Sequence, residues 1–396
     1  MDHTGELKVA YRGDPGKLFP LALGTGVLVT LTLGIYRFWA KARIRRHVWS
    51  KVRVGEDAME FTGTGIEMFL GFLMAVVVLA VYLAAVQLVL FAVGIRFVFD
   101  PQSPLEEFAQ GLSVTLSFLA VLPLMLFAAY RSRRYRLTRT RFRGIRLAME
   151  SAAGGYMLRG LVYLALTVLS LGLLWPLMTF RLEAYMTERT WYGTARFRQG
   201  GTWRGLYSAY SHVLVGMGML VAAFAFGVAG ERWMAGVSGF IGAIWLVVGL
   251  IVYRVRAFAY LMSHKEMDGG LGFRAEPRTG TVVWLYIKGV LIVGLLGGVA
   301  SAAIFAPVGA LVAGIEEASD LMRIEIALFG ALSYLLLLTV FGALSLVFIS
   351  QPILGHFVGS VTVTGAQALE AVRQRVADGS ADAEGLADAL DMGGAF

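Results

Sequence analysis

Long apolar runs alternate with short polar stretches along the whole chain, and the polar stretches carry a finer alternation of their own. Runs long enough to cross a ~30 Å hydrocarbon core lie at residues 18–39, 66–94, 112–130, 161–180, 213–228, 237–253, 282–312 and 326–349, which makes eight membrane elements with the fifth and sixth short. Behind four of them an arginine stands four residues ahead of an aromatic, and a strand-like stretch follows. The sets are Arg45, Trp49 and Phe61; Arg131, Tyr135 and Leu147; Arg181, Tyr185 and Phe197; and Arg256, Tyr260 and Phe273. A fifth copy, from Phe357 to Leu369, lacks the arginine. On a helix, positions four apart share a face, and repetition of this kind points to duplicated units.

After each aromatic the sequence alternates and then meets a turn. Lys51-Val52-Arg53-Val54 precedes Gly55-Glu56-Asp57 and Met59-Glu60-Phe61, and alternation on both sides of a Gly/Asp turn predicts a β-hairpin. Residues 135–147 alternate around Gly144, and Thr190-Trp191-Tyr192 precedes Gly193 and Ala195-Arg196-Phe197. Lys265-Glu266-Met267 precedes Asp268-Gly269-Gly270, and Val361-Thr362-Val363-Thr364 precedes Gly365. Lys8-Val9-Ala10-Tyr11 adds an edge strand. Isolated hairpins are marginal in water, so a shared β-layer on the cytoplasmic side, built from successive hairpins, is expected.

Composition makes the membrane reading firm: 57% of residues are hydrophobic and 16% charged, outside the range of soluble domains. Polar residues 1–17 precede the first run, which ends in Phe38-Trp39-Ala40-Lys41 without an A-x-A-like site, so no cleavable signal peptide is expected. The chain has no cysteine, which excludes disulfides and thiolate metal sites. Its charge of +8 is no nucleic-acid signature, because the basic residues cluster where membrane elements end and read as orientation determinants.

Those clusters constrain topology. Lys41, Arg43, Arg45, Arg46, Lys51 and Arg53 follow element one, Arg131 to Arg143 follow element three, Arg181 to Arg204 follow element four, and Arg254 to Arg278 follow element six. The connections around Asp100, Glu106 and Glu107, around Glu231, and around Glu316, Glu317, Asp320 and Glu325 are acidic or neutral. If all eight elements crossed, basic clusters would fall on both sides, against the positive-inside rule. The conflict vanishes if elements one and four are re-entrant or interfacial, which leaves about six spanning helices and both termini in the cytoplasm. Thr32-Leu33-Gly34-Ile35-Tyr36 matches Ser170-Leu171-Gly172-Leu173-Leu174, with Pro176 close behind; glycine and proline break helices only where neighbours cover the freed backbone. Against this, each run is ~20 residues, enough for a straight span.

The fold expected is thus a polytopic α-helical membrane protein with internal repeats. Residues 1–140 form the first repeat, 141–270 the second and 271–366 a degenerate third. Residues 367–396 follow as a short amphipathic segment marked by Leu369, Val372 and Val376 and a disordered acidic tail.

Tyr11-Arg12-Gly13, Gly16-Lys17-Leu18-Phe19, residues 32–41 and Phe61-Thr62-Gly63-Thr64-Gly65 resemble the YjgN-type bacterial inner-membrane family, a family of unknown function. Arg143-Gly144 and residues 203–210 resemble its weaker second copy, and beyond Gly280 the likeness is diffuse. The resemblance implies a Gram-negative inner-membrane location and brings no activity or catalytic residues.

Candidate chemistry is sparse. His3, His47, His212, His264 and His356 have no metal-ligand spacing, and Gly63-Thr64-Gly65 and Gly13-Asp14-Pro15-Gly16 lack the lysine and helix context of a phosphate loop. Gly154-Gly155-Tyr156 reads as a loop, and no Ser/His/Asp set commends itself. No enzymatic activity and no cofactor are expected. Intramembrane polar candidates are Lys288, Gln87 and Glu67: an ammonium at a helix centre costs ~2.5 to 3.5 kcal/mol on insertion scales, but Lys288 near a helix start can snorkel. Glu67 suits the positive end of a helix dipole, and Gln87 suits an interhelical hydrogen bond. Small residues at Gly216, Gly218, Gly227, Gly294, Gly297, Gly298, Ser301 and Ala302 permit close helix packing or a homo-oligomer interface. The paired Arg45 and Trp49, Arg131 and Tyr135, Arg181 and Tyr185, and Arg256 and Tyr260 are candidate contacts to anionic lipid headgroups.

Three functions fit: transport or a channel-like passage for a small or amphipathic solute, built as repeat-based transporters are; a scaffold or sensor docking a protein on its β-layer; and lipid handling. A non-enzymatic inner-membrane protein is expected, with transport narrowly ahead.

Overall fold

The computed structural model describes residues 5–95, 102–314 and 319–375. In chain order the elements are β1 (Leu7–Tyr11), α1 (Pro15–Leu31), α2 (Arg37–Trp49), β2 (Val52–Val54), β3 (Asp57–Phe61), α3 (Gly65–Ala92), α4 (Pro104–Thr138), β4 (Thr140–Phe142) and β5 (Ile145–Met149). There follow α5 (Ala153–Leu169), α6 (Trp175–Thr187), β6 (Thr190–Tyr192), β7 (Ala195–Gln199), α7 (Tyr207–Val228), α8 (Arg232–Ser263), β8 (Lys265–Met267) and β9 (Leu271–Ala275). The chain ends in α9 (Thr279–Val312), α10 (Asp320–Ser345), a π-helical turn at Leu346–Ser350, α11 (Gln351–Gly359), β10 (Val361–Thr364) and α12 (Ala368–Ala371). Asp100, Glu316, Glu317, Val376 and the acidic tail lie outside the described residues.

Two compact units interleave in sequence: one takes the chain up to Phe61 and Gly205–Ala371, the other takes Thr62–Arg204 and the segment beginning at Val372. Both units are discontinuous along the chain. The reason is long-range strand pairing, since β1 pairs with β10.

In the first unit β3 pairs with β2, β2 with β1, β1 with β10, β10 with β9 and β9 with β8. All are antiparallel, and Tyr11 stands opposite Val52. The N-terminal strand is therefore no edge strand; it is flanked by β2 and β10. In the second unit β4, β5, β6 and β7 pair in succession. The β4–β5 turn places Arg143 and Gly144 at φ 49° and 75°, the two successive positive φ values of a type I′ hairpin. The strand after Phe357 forms no hairpin of its own, because β10 lies between β1 and β9.

Helical hairpins rise from these sheets and return to them. The Arg12 N–H, just ahead of α1, donates to the carbonyl of Lys51, just behind α2, at 2.9 Å. The Glu150 N–H ahead of α5 donates to Arg189 behind α6 at 3.0 Å, Thr62 ahead of α3 donates to Arg139 behind α4 at 2.8 Å, and Glu276 ahead of α9 donates to Ser360 behind α11 at 3.0 Å. Each of these hairpins is closed at its base by backbone.

The first and fourth apolar runs are not straight helices. The first breaks after Leu31 with Leu33 and Gly34 at φ 49° and 93°; the fourth breaks after Leu169 with Leu171 and Gly172 at φ 51° and 88°. The Gly34 N–H reaches back to the Val29 carbonyl at 2.8 Å, and Gly172 to Thr167 at 2.7 Å, the long bond of a Schellman C-cap. The Thr32 hydroxyl accepts from the Tyr36 N–H at 2.9 Å, as Ser170 does from Leu174 at 3.0 Å. A hydroxyl residue, a leucine and a glycine thus end one helix and start the next by the same bonds at both places.

Among the described residues six helices are long and apolar enough to cross a membrane: Gly65–Ala92, Pro104–Thr138, Trp203–Val228, Arg232–Ser263, Thr279–Val312 and Asp320–Gly359. The protein is a polytopic helical membrane protein. Gly216 lies against the backbone of Leu246 and Gly249 against His212 and Val213, so α7 and α8 cross closely there. Gly218, Gly294 and Gly298 face open space.

The expected amphipathic segment is shorter than its pattern suggested. α12 spans Ala368–Ala371, and Val372, 5% exposed, belongs to an extended stretch. There the Thr194 N–H donates to the Arg373 carbonyl at 2.9 Å, and the Arg375 guanidinium stacks on Trp191 at 4.7 Å.

Candidate functional site

The chemistry of the second unit concentrates where α4 turns from apolar to basic. Up to Ala129 the helix is a membrane segment; then Tyr130, Arg131, Arg133, Arg134 and Tyr135 follow within two turns. Against this stretch pack the end of β5 and the start of α5, and the connecting residues are held by their carbonyls. Arg134 Nε donates to Met149 O at 2.7 Å, the Tyr130 hydroxyl to Glu150 O at 2.7 Å, and the Tyr185 hydroxyl to Ala152 O at 3.1 Å.

Three tyrosines, Tyr130, Tyr156 and Tyr185, form a buried cluster beside these residues. Ring centroids of Tyr130 and Tyr156 are 5.5 Å apart, and each lies 6.1 Å from Tyr185, distances at which edge and offset contacts are favourable. The Arg189 and Arg159 guanidiniums lie 3.6 and 4.8 Å from the Tyr185 ring, in cation–π range. Gly155 makes this possible, since a Cβ there would collide with the Tyr185 hydroxyl. Arg133 braces the arrangement through a two-pronged ion pair to Glu183 on α6, at 2.6 and 2.9 Å.

Tyr130 joins this cluster to a cavity of about 490 Å³ lined by Phe127, Tyr130, Arg131, Arg134 and residues 151–155. Its wall includes the first turn of α5, where Ala152 provides no side-chain cap. The N–H groups of a helix's first turn have no intrahelical acceptor and carry the positive end of the helix dipole. At the matching place in the first unit, Asp14 accepts from the Gly16 N–H at 2.9 Å, so α1 is capped by a carboxylate. The α5 start meets two arginine side chains and open volume. The recess thus combines two arginines with the N–H end of a helix, and Phe127 also lines it.

Gly154-Gly155-Tyr156, read as a loop, is instead the start of a helix. Small residues at the first positions of α5 kept its apolar period out of sight until Leu161. Sequence placed Arg134 in a cluster but could not show that it is 2% exposed and turned inward.

The other candidates are dispersed. Glu67 lies in the first turn of α3, where its N–H donates to Thr64 Oγ1 at 3.4 Å. Its carboxylate accepts from the Tyr135 hydroxyl at 3.0 Å and pairs with Arg139 at 3.1 Å, which ties the two ends of the α3–α4 hairpin. Gln87 donates to Ser117 Oγ across that hairpin at 2.6 Å. Lys288 is exposed on α9. Of the paired arginines and aromatics, Arg45 is fully enclosed, with its guanidinium 5.9 Å from the Phe61 ring, and Trp49 packs on the same ring at 5.6 Å. Arg131 is half-buried and Tyr135 buried; Arg181 is exposed and Tyr185 buried; Arg256 is exposed and Tyr260 half-buried.

Comparison with known proteins places the chain without assigning it an activity. The inner membrane protein YjgN of Salmonella typhimurium (strain LT2) is 27% identical over 79 residues, which cover 20% of this chain and 20% of that protein. The chain therefore aligns with about a fifth of the length of that relative. No solved structure matches. The model of a family described as bacterial protein of unknown function, DUF898, matches residues 6–389, in agreement with the YjgN-type resemblance of the first apolar unit. The chain belongs to the DUF898 family of bacterial membrane proteins.

Proposed function

We propose that this is a non-enzymatic, lipid-handling protein of the bacterial inner membrane that holds the phosphate of an anionic lipid headgroup in the recess between α4 and α5. One observation carries the reading: Arg131 and Arg134 line a cavity together with the start of α5, which has no side-chain cap, at the level where α4 changes from apolar to basic. Arginine matches the planar oxygen geometry of phosphate, and a helix start adds oriented N–H donors.

Solute transport is less well supported. Gln87 is engaged by Ser117, Lys288 faces outward, and neither lines this cavity. The inner-membrane location rests on the name of the YjgN relative together with the six apolar helices. Duplication of a hairpin unit is supported by the matching breaks at Leu33-Gly34 and Leu171-Gly172. The basic sheet side is read as cytoplasmic from the positive-inside rule.

The test uses full-length protein in neutral detergent, titrated with phosphatidylglycerol or with phosphatidylcholine of the same acyl chains while thermal unfolding is followed. Phosphatidylglycerol should stabilise the wild type more than phosphatidylcholine, and Arg131→Gln should remove most of that difference. Equal responses to the two lipids in the wild type would defeat the reading.

A further inference from the structure

Strand register sorts the sheet of the second unit into two unlike faces. Phe142 stands opposite Ile145, Leu147 opposite Tyr192, and Tyr192 opposite Ala195, so these apolar side chains share one face. The Phe142 and Tyr192 rings, both buried, are 6.0 Å apart there. Side chains alternate along each strand, so the other face carries Arg141 opposite Arg146, Ala148 opposite Trp191, and Trp191 opposite Arg196, with Arg198 two residues on. Like charges directly opposite each other are unfavourable, and Arg141 and Arg146 stand in that relation. The carboxylate of Glu150, just behind β5, accepts from the Trp191 indole N–H at 3.1 Å.

The segment that follows α12 arrives on this face. The Arg146 N–H donates to Gln374 Oε1 at 2.8 Å. The Arg375 guanidinium lies 4.7 Å from the Trp191 ring, and that of Arg196 lies 5.6 Å from the same ring. Beyond Arg375 the sequence changes sign: residues 376–396 contain Asp378, Asp382, Glu384, Asp388 and Asp391 and no lysine, arginine or histidine. Asp378 is three residues on, within ~10 Å of Arg375 along an extended chain. Two strand spacings, ~10 Å, separate β6 from β4 and its Arg141.

We propose that the acidic segment 376–391 docks on the arginine face of this sheet, as an intramolecular ligand of Arg141, Arg146, Arg196 and Arg198. Opposite charge is the first argument and the point of departure is the second. A segment tethered beside Trp191 meets the face at an effective concentration on the order of millimolar, ahead of a lipid surface or an acidic segment of another protein. An anionic partner of the sheet therefore has to displace the chain's own acidic segment, which acts as a charge-sensitive cover. The proposal is independent of the recess between α4 and α5, whose arginines are Arg131 and Arg134.

The test uses the full chain in neutral detergent, with the photoreactive residue p-benzoylphenylalanine in place of Ala383. After irradiation, adducts are mapped by peptide mass spectrometry and the protein is run on a denaturing gel. Adducts should fall on residues 141–148 and 191–198 within a monomer, several-fold above residues 151–155 at the start of α5. Asp378→Asn, Asp382→Asn, Glu384→Gln and Asp388→Asn together leave the residues of the sheet untouched and should cut the sheet adducts several-fold. Salt at 1 M, where the screening length is ~3 Å, should do the same. So should Arg141→Gln with Arg146→Gln, a change that relieves a like-charge pair. Sheet adducts that survive neutralisation of the acidic segment, adducts confined to a dimer band, or labelling of the α5 start in place of the sheet would overturn the proposal.

Discussion

The backbone N–H of Glu150 is hydrogen-bonded to the carbonyl of Arg189 at 3.0 Å. One residue precedes α5 and the other follows α6, so the chain comes back from the fourth apolar run to where it started. Arg12 and Lys51 stand in the same relation around α1 and α2. A run that spanned as a straight helix would separate such residues by the thickness of a bilayer. At both places the residues before and after the short hairpin are joined through their backbone.

The hairpin turns set a sharp backbone requirement. Gly34 and Gly172 occupy φ 93° and 88°, which L side chains adopt at a cost of about 1–2 kcal/mol. Gly34→Ala and Gly172→Ala should each lower the unfolding temperature of the purified protein. An added methyl at Gly34 meets no neighbour within 4 Å, so at that site the loss would come from backbone strain alone. Gly24→Ala in the middle of α1, also with open space, should be neutral or slightly stabilising.

The tyrosine cluster of the second unit depends on Gly155. Gly155→Ala should push the Tyr185 hydroxyl off the Ala152 carbonyl and destabilise the protein by more than Tyr185→Phe, which removes one hydrogen bond worth about 1 kcal/mol. In the double variant the Gly155→Ala penalty should shrink, because the colliding hydroxyl is gone. Thermal unfolding of the four proteins measures the coupling.

Stability should fall with acid through His47. Burial, then Lys51, hold its imidazole below the ordinary histidine value, with Lys17 acting the same way and Asp14 opposing. A base with a lowered pKa in the folded protein favours the neutral form there, so its contribution is intact above the unfolded pKa. As pH falls the unfolded chain takes up the proton first, and stability is lost down to the lowered folded pKa. Thermal unfolding from neutral pH to about pH 5 should show a steeper decline in the wild type than in His47→Gln.

Much of this architecture was legible in residues, and the rest was hidden for identifiable reasons. The match of Thr32-Leu33-Gly34 to Ser170-Leu171-Gly172 located both breaks, because a C-cap needs a local signal. Turns at Gly55, Gly144 and Gly193 located hairpins for the same reason. Strand order was not legible: β1 pairs with β10 from the other end of the chain, and pairing at that separation leaves no local trace. The direction of long basic side chains was equally hidden. Arg45 and Arg181 hold the same place in the repeated pattern, yet one is enclosed and the other exposed. The α5 start escaped notice because small residues there carry no period, although the backbone they expose forms one wall of the candidate site.

The most direct test of the account is the sidedness of single cysteines in this cysteine-free chain. Lys8→Cys, Ser50→Cys and Ser319→Cys are all at exposed positions, and a membrane-impermeant maleimide can be applied to intact cells and to inverted vesicles. Lys8→Cys and Ser50→Cys should label in inverted vesicles and Ser319→Cys in intact cells. Labelling of Lys8→Cys and Ser50→Cys from opposite sides would contradict it, because the first hairpin would then cross the membrane.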